Sequence, residues 1–155
     1  MAVEMIDCRL ITLVPATKDD YEFSYHVKKV AEGEYIKRIW GWDEALQRDF
    51  HQKHWRERQP DIIKYGSKAI GTLSVVRDEG GIQIRQFYIL PEYQKKGIGS
   101  YLLQRILKKA DEEGLVSRLS YFKGNPVESL YKRNGFHPVK ESRTHYFAER
   151  KPLRE

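Results

Sequence analysis

Pro91-Glu-Tyr-Gln-Lys-Lys-Gly-Ile-Gly99, running into Ser100-Tyr-Leu-Leu-Gln-Arg-Ile-Leu-Lys-Lys-Ala110, carries the strongest local instruction in the chain. Residues 82–90 before it read as a strand. Behind it, Ile98, Leu102, Leu103, Ile106, Leu107 and Ala110 fall on one arc of a helix whose other positions are filled largely by polar and charged residues. A strand that enters a glycine-containing loop and then a helix offers unpaired backbone N–H groups and the positive end of a helix dipole. Gly97 and Gly99 let the backbone approach a ligand closely, and Lys95 and Lys96 add charge. The segment therefore predicts an anion site suited to a pyrophosphate, with a plain turn as the competing reading. Two other phosphate motifs do not fit. The dinucleotide fingerprint needs a third glycine where Leu102 stands, and the P-loop needs Gly-Lys followed by Ser or Thr.

Working outward, residues 61–65 and 68–77 read as strands joined at Gly66-Ser67, and Gly80-Gly81 opens the strand at 82–90, giving an antiparallel meander. Upstream, residues 8–14 form a first strand ended by Pro15. Thr17 with Asp20 resembles a capping box for a helix over about 18–30 that carries Phe23, Val27 and Val30. The aromatic-rich residues 34–42 receive no assignment. Asp43 caps a second helix, bearing Leu46 and Phe50, that Pro60 stops. Downstream, Gly114 closes the long helix, and a strand over 115–122, a helix over 125–134 and strands over 136–139 and 145–149 follow. The order β-α-α-β-β-β-α-β-α-β-β predicts a single α/β domain over residues 1–155 with a mixed sheet.

Composition narrows the function classes. The chain has 155 residues with 40% hydrophobic content, too apolar for a disordered basic tail. Lys+Arg 28 against Asp+Glu 22 leaves +6, which suits an anionic partner. One cysteine, Cys8, excludes an intramolecular disulfide framework and a cysteine-built zinc site. Glu4, Asp7 and Arg9 interrupt the apolar N-terminal stretch, so no signal peptide or membrane span is expected, and the expected location is cytoplasmic. Lys108, Lys109, Lys132 and Arg133 are basic, but Asp111, Glu112 and Glu113 stand among them and no stacked-aromatic recognition pattern is present, so no nucleic-acid partner is expected. His51 and His54 lack an evident third ligand, and no metal is expected.

The second informative stretch is Gly124-Asn-Pro-Val-Glu-Ser-Leu-Tyr-Lys-Arg-Asn-Gly-Phe136. Asn125 suits an N-cap, Pro126 the first helical position and Glu128 a capping-box spacing, while Gly135 suits the left-handed residue after a helix. Tyr131, taken alone, reads as an aromatic packed on the sheet.

Together, Gln94-Lys-Lys-Gly-Ile-Gly99 and Asn125 with Ser-Leu-Tyr131 and Gly135-Phe136 resemble the two motifs of the GNAT superfamily of acetyl-CoA-dependent N-acetyltransferases, in the expected order, over about residues 62–147. The resemblance implies a GNAT-like mixed, mainly antiparallel sheet flanked by helices, with splayed strands that bind acetyl-CoA. It implies that backbone groups at Ile89 and Leu90 pair with the pantetheine arm. Gln94, Lys95, Lys96, Gly97, Ile98, Gly99 and Ser100 would hold the pyrophosphate, with Gln94 where the family often has arginine. Asn125 would touch the cofactor arm, and a backbone N–H near Ile89 would face the thioester oxygen. Tyr131 matches the family's usual general acid, and a phenol of pKa about 10 suits a leaving thiolate.

The resemblance implies an N-acetyltransferase that moves the acetyl group to a primary amine by direct attack in a ternary complex. The acceptor is a small-molecule or peptide amine, and a homodimer is a candidate assembly. An alkyl ammonium must lose a proton before it attacks, so a base is required. Glu34, Asp43, Glu44 and Gln86 are its candidates, against the plainer reading of solvated caps and helix-face charges. Trp40 and Trp42, with Glu44, would line the acceptor side or else anchor the loop. Cys8 reads as a small core residue, since direct transfer needs no acyl-enzyme. The alternative is a catalytically silent CoA-binding or regulatory module of the same fold.

Overall fold

The computed structural model describes residues 6–153. Seven strands form one sheet in the order β1-β2-β3-β4-β5-β7-β6, where β1 is Ile11–Pro15, β2 Asp61–Tyr65, β3 Lys68–Asp78, β4 Gly81–Ile89, β5 Ser117–Phe122, β6 His137–Glu141 and β7 His145–Arg150. The helices are α1 Tyr21–Trp40, α2 Glu44–Glu57, α3 Ile98–Glu113 and α4 Glu128–Arg133. Pairing is antiparallel from β1 to β3 and among β5, β7 and β6, and parallel between β4 and β5. The sheet is thus mixed and mainly antiparallel, as expected. Two compact units share it, one formed by residues through Ser74 with Gln86–Lys96, the other by Val75–Arg85 with Gly97 onward.

In the first unit, Ile62, Ile63, Ile70, Leu73 and Val27 are almost fully buried. The Thr17–Asp20 capping box forms, opening a 3-10 turn over Lys18–Asp20 that leads into α1. This helix runs ten residues past its expected end. Gly33, of a residue type that weakens helix interiors, lies within it, and a Cβ there would stand in ordinary contact with the Trp42 ring at 3.8 Å. Residues 34–40 of the unassigned aromatic segment are therefore helical. The first strand is shorter than expected, because Asp7 caps a 3-10 turn over Cys8–Leu10, and Pro15 belongs to the strand. That position is tolerated because β1 is an edge, where a missing N–H costs no ladder bond. Asp43 caps α2 by accepting from Leu46 N at 3.1 Å.

In the second unit, α3 buries Ile98, Leu102, Leu103, Leu107 and Ala110, the expected stripe, with Ile106 half-buried at its margin. Gly114 closes it in the left-handed conformation at φ +68°. The helix expected from Asn125 begins at Glu128 instead. Asn125 Oδ1 accepts from Val127 N at 3.0 Å, and Ser129 N bonds the Pro126 carbonyl, so a turn precedes the helix. The capping box expected there is replaced, because the Glu128 carboxylate accepts from Tyr121 Oη at 3.1 Å and pairs with Lys132.

Arg150 ties β7 to α3 through a two-pronged bond to Asp111, at 2.8 and 3.0 Å, and Leu153 N adds a third contact at 2.9 Å. The Arg150 bonds, ahead of the other causes, hold the Asp111 carboxyl below its usual range. A lowered carboxyl pKa stabilises the fold above the unfolded value of about 3.9 and ceases to do so as pH falls through the folded value. Asp111→Asn is expected to cost about 2–3 kcal/mol in urea unfolding at pH 7. The gap between variant and wild type should shrink below about pH 4, and a gap that is constant with pH would contradict this account.

Candidate active site

The site is built around β4. Gln86 sits in the left-handed region at φ +49°, rare for a residue with a side chain, and costs of order 1–3 kcal/mol that the surroundings must offset. Two residues of β3 hold it there. Buried Thr72 donates its Oγ1 to the Gln86 carbonyl at 2.7 Å. At Gly71, a Cβ would overlap the Tyr88 carbonyl oxygen and stand 3.2 Å from Ile89 Cα, so only glycine admits this approach.

Leu90 N then bonds the Ile70 carbonyl at 2.9 Å. Because successive backbone groups of a strand point to opposite edges, Ile89 presents its N–H and carbonyl on the edge away from β3. The structure thereby separates two residues that the sequence treats alike. Leu90 is committed internally, its carbonyl accepting from Tyr93 N at 2.9 Å, so it has little left for a pantetheine arm. Ile89 keeps the outward edge, although its carbonyl already accepts from Gln94 Nε2 at 2.7 Å. Gln94 therefore fastens the loop to β4 rather than reaching outward. The parallel ladder from β4 to β5 comprises Ile82↔Ser117 and Gln83↔Arg118, whereas β5 pairs with β7 along its whole length.

The loop after β4 forms a concave run of backbone. Lys95 and Gly97 adopt left-handed conformations at φ +61° and +86°, and such steps turn successive N–H groups toward one side. No side chain caps α3. The first-turn amides of Ile98, Gly99 and Ser100 consequently lack an intrahelical partner and face a helix-dipole N-terminus. A Cβ at Gly97 would meet nothing within 4 Å, so the surface there is open. Lys95 is exposed, and Lys96 lies 5.9 Å from the Tyr93 ring centre. Lys68 stands over that ring at 5.2 Å, a cation beside the loop that sequence reasoning missed. These features fit a pyrophosphate.

Tyr131 is buried in an aromatic cluster, 5.6 Å from the Tyr121 ring and 5.9 Å from Phe136. Burial first, and then the bond to Glu128, pushes the Tyr121 hydroxyl up to about 12. Tyr121 is thus a fixed hydrogen-bond donor beside Tyr131.

Glu44 at the start of α2 and Trp42 in the connection before it come together with Tyr25 and Lys29 of α1, but as an anchor. Glu44 accepts from Trp42 Nε1 at 2.7 Å, Tyr25 Oη at 2.9 Å and Lys29 Nζ at 3.2 Å. The Trp42 bond, then that of Tyr25, pulls its carboxyl down to about 2. Trp40, at the end of α1, is 60% exposed. His51 is buried with Nε2 2.9 Å from Ser24 Oγ, and among the described residues no group of His, Cys, Asp and Glu is arranged to hold a metal ion. No described helix is long and apolar enough to cross a membrane. Sequence reasoning also missed Glu32 on α1, whose carboxylate accepts a short hydrogen bond from Tyr88 Oη on β4. The partners are 56 residues apart in sequence, so no local pattern announces them.

The acetyltransferase (GNAT) family model matches residues 19–136, and the chain belongs to that family. The match begins well before residue 62, so the N-terminal helices are part of the family pattern. Among solved structures the chain is similar to PH1933 from Pyrococcus horikoshii OT3, with TM-score 0.72 and 19% identity over 93% of this chain and 99% of that one. It is also similar to the PaiA N-acetyltransferase of Thermoplasma acidophilum in complex with coenzyme A, with TM-score 0.68 and 20% identity over 91% and 98%. Ard1 from Thermoplasma volcanium gives 0.66 and 19% over 94% and 99%. At these identities the likeness is one of fold. No curated protein matches the sequence.

Gly71→Ala is expected to force β3 and β4 apart and destabilise the protein by about 2–3 kcal/mol, measured by urea unfolding. A loss under about 0.5 kcal/mol, the ordinary scale of a surface change, would show that the close approach is not required.

Proposed function

We propose that the protein transfers an acetyl group from acetyl-CoA to a primary amine by direct attack in a ternary complex. The observation that carries this reading is the continuous segment from Ile89 to Ser100, with its outward strand edge, its two left-handed loop residues and an uncapped helix N-terminus. Backbone N–H groups of Lys96 to Ser100 bind the pyrophosphate, with Lys95, Lys96 and Lys68 neutralising its charge. The Ile89 N–H orients the thioester and donates to its oxygen as charge develops there. Asn125 contacts the cofactor arm. Tyr131 gives its proton to the departing thiolate, following the family motif. A cytoplasmic location accords with the lone Cys8 and with this cosubstrate.

A second reading has its own support. Tyr131 is 5% exposed and packed among aromatics, as a structural residue would be, which suits a silent coenzyme A-binding module. Thiol release from acetyl-CoA separates the two when followed with spermidine, an aminoglycoside, a blocked lysine and an alanine-initiated tetrapeptide. Turnover of at least one amine is expected, and binding of acetyl-CoA without turnover of any would favour the silent module. Tyr131→Phe keeps the ring and is expected to lower kcat by about 10²-fold while leaving coenzyme A affinity within about twofold. An unchanged kcat would remove Tyr131 from the chemistry.

A further inference from the structure

The transfer reaction requires a base, and the structure sorts its candidates. Glu44 is held at about 2 by its donors, far too weak to take a proton from an ammonium group at neutral pH. Asp43 is engaged in capping Leu46, Glu34 is exposed to solvent, and Gln86 is an amide with no basic site. Glu32 differs from all four. It is half-buried on α1, one turn before buried Ile36, and bonded to Tyr88. Tyr88 directly precedes Ile89, so Glu32 is joined through the Tyr88 phenol to the strand residue next to the outward edge. Only Oε1 of Glu32 is engaged by Tyr88, and Oε2 has no hydrogen-bond partner among the described residues. On its own helix Lys28 and Lys29 stand one turn earlier, and Lys29 is drawn to Glu44. From β4 the titratable group that meets it is Tyr88.

We propose that Glu32 is the base for the acceptor amine and that Tyr88 is its positioning residue; this rests on the acetyltransferase reading above. Oε2 accepts one proton from the acceptor ammonium, leaving a neutral amine. The nitrogen lone pair then forms the N–C bond as the thioester C–S bond breaks, with the electron pair going to sulfur. The nitrogen sheds its second proton, the thiolate gains one, and the proton on Glu32 passes to solvent, so one proton is released per turnover. The donor bond from Tyr88 keeps the carboxylate in one rotamer and leaves the second oxygen for the cation.

The test uses the full chain, acetyl-CoA and whichever amine of the four-member panel wild type acetylates fastest, with kcat/KM measured from pH 6 to 9.5. Glu32→Gln is expected to lose about 10²-fold or more at pH 7, with coenzyme A affinity unchanged. The deficit should narrow as pH rises, because solvent then deprotonates the amine. Tyr88→Phe should lower kcat by about 5- to 10-fold with the KM for the amine little changed, since it removes the bond that orients the carboxylate. Glu32→Asp should recover part of the activity. A Glu32→Gln rate within about threefold of wild type, or a deficit that is constant with pH, would overturn the assignment of Glu32 alone. If Glu32→Gln fails to fold, an unchanged kcat in Tyr88→Phe overturns it instead. A wild type inert toward every amine would overturn the acetyltransferase reading, and this proposal with it.

Discussion

The left-handed step at Gln86 is the constraint from which the geometry of β4 follows. A β-strand that remained regular would keep every other backbone group committed to its neighbours. Here the Thr72 hydroxyl holds the Gln86 carbonyl, bare Gly71 lets Tyr88 and Ile89 press close to β3, and Leu90 N bonds the Ile70 carbonyl. The outcome is local and specific. Ile89 turns its polar groups to the outer edge, and the strand delivers the chain into a loop whose own left-handed residues gather amides at the start of α3. Strain at one residue is thus balanced by a buried hydroxyl and a missing side chain, and the product is a polar edge in a mostly apolar sheet.

Electrostatics around α1 and α2 divide the carboxylates by task. Glu44 gathers Trp42, Tyr25 and Lys29, with Arg48 stacked 3.7 Å from the Tyr25 ring centre, so this acid joins two helices and stays ionised well below neutral pH. Among the described residues Glu32 has Tyr88 as its hydrogen-bond donor, on one oxygen. The net charge of +6 contributes less to the proposed anion site than it first suggests. Three lysines near the loop supply local charge, but the shape of the cradle comes from backbone amides that carry none.

Much of this was legible in the sequence where local chemistry decides structure. The α3 stripe, the Thr17–Asp20 box, the Asp43 cap and the left-handed Gly114 follow from spacing and residue type, and the structure contains them. The sequence misleads where a tertiary contact overrides a local rule. Asn125 reads as an N-cap, although Pro126 and Val127 form a turn before α4 begins at Glu128. The family motifs pointed to Ile89 and the loop, but not to the commitment of Leu90 or of the Gln94 side chain. A glutamine at positive φ and a glutamate paired across 56 residues have no sequence signature, so the left-handed Gln86 and the Glu32–Tyr88 pair emerge only in three dimensions.

The most direct test of the central claim is an amide-resolved NMR titration of the protein with acetyl-CoA. The account predicts that the Ile89 N–H and the amides from Lys96 to Ser100 shift together and saturate at one stoichiometric equivalent. Binding that leaves those amides unmoved, or the absence of binding, would contradict it.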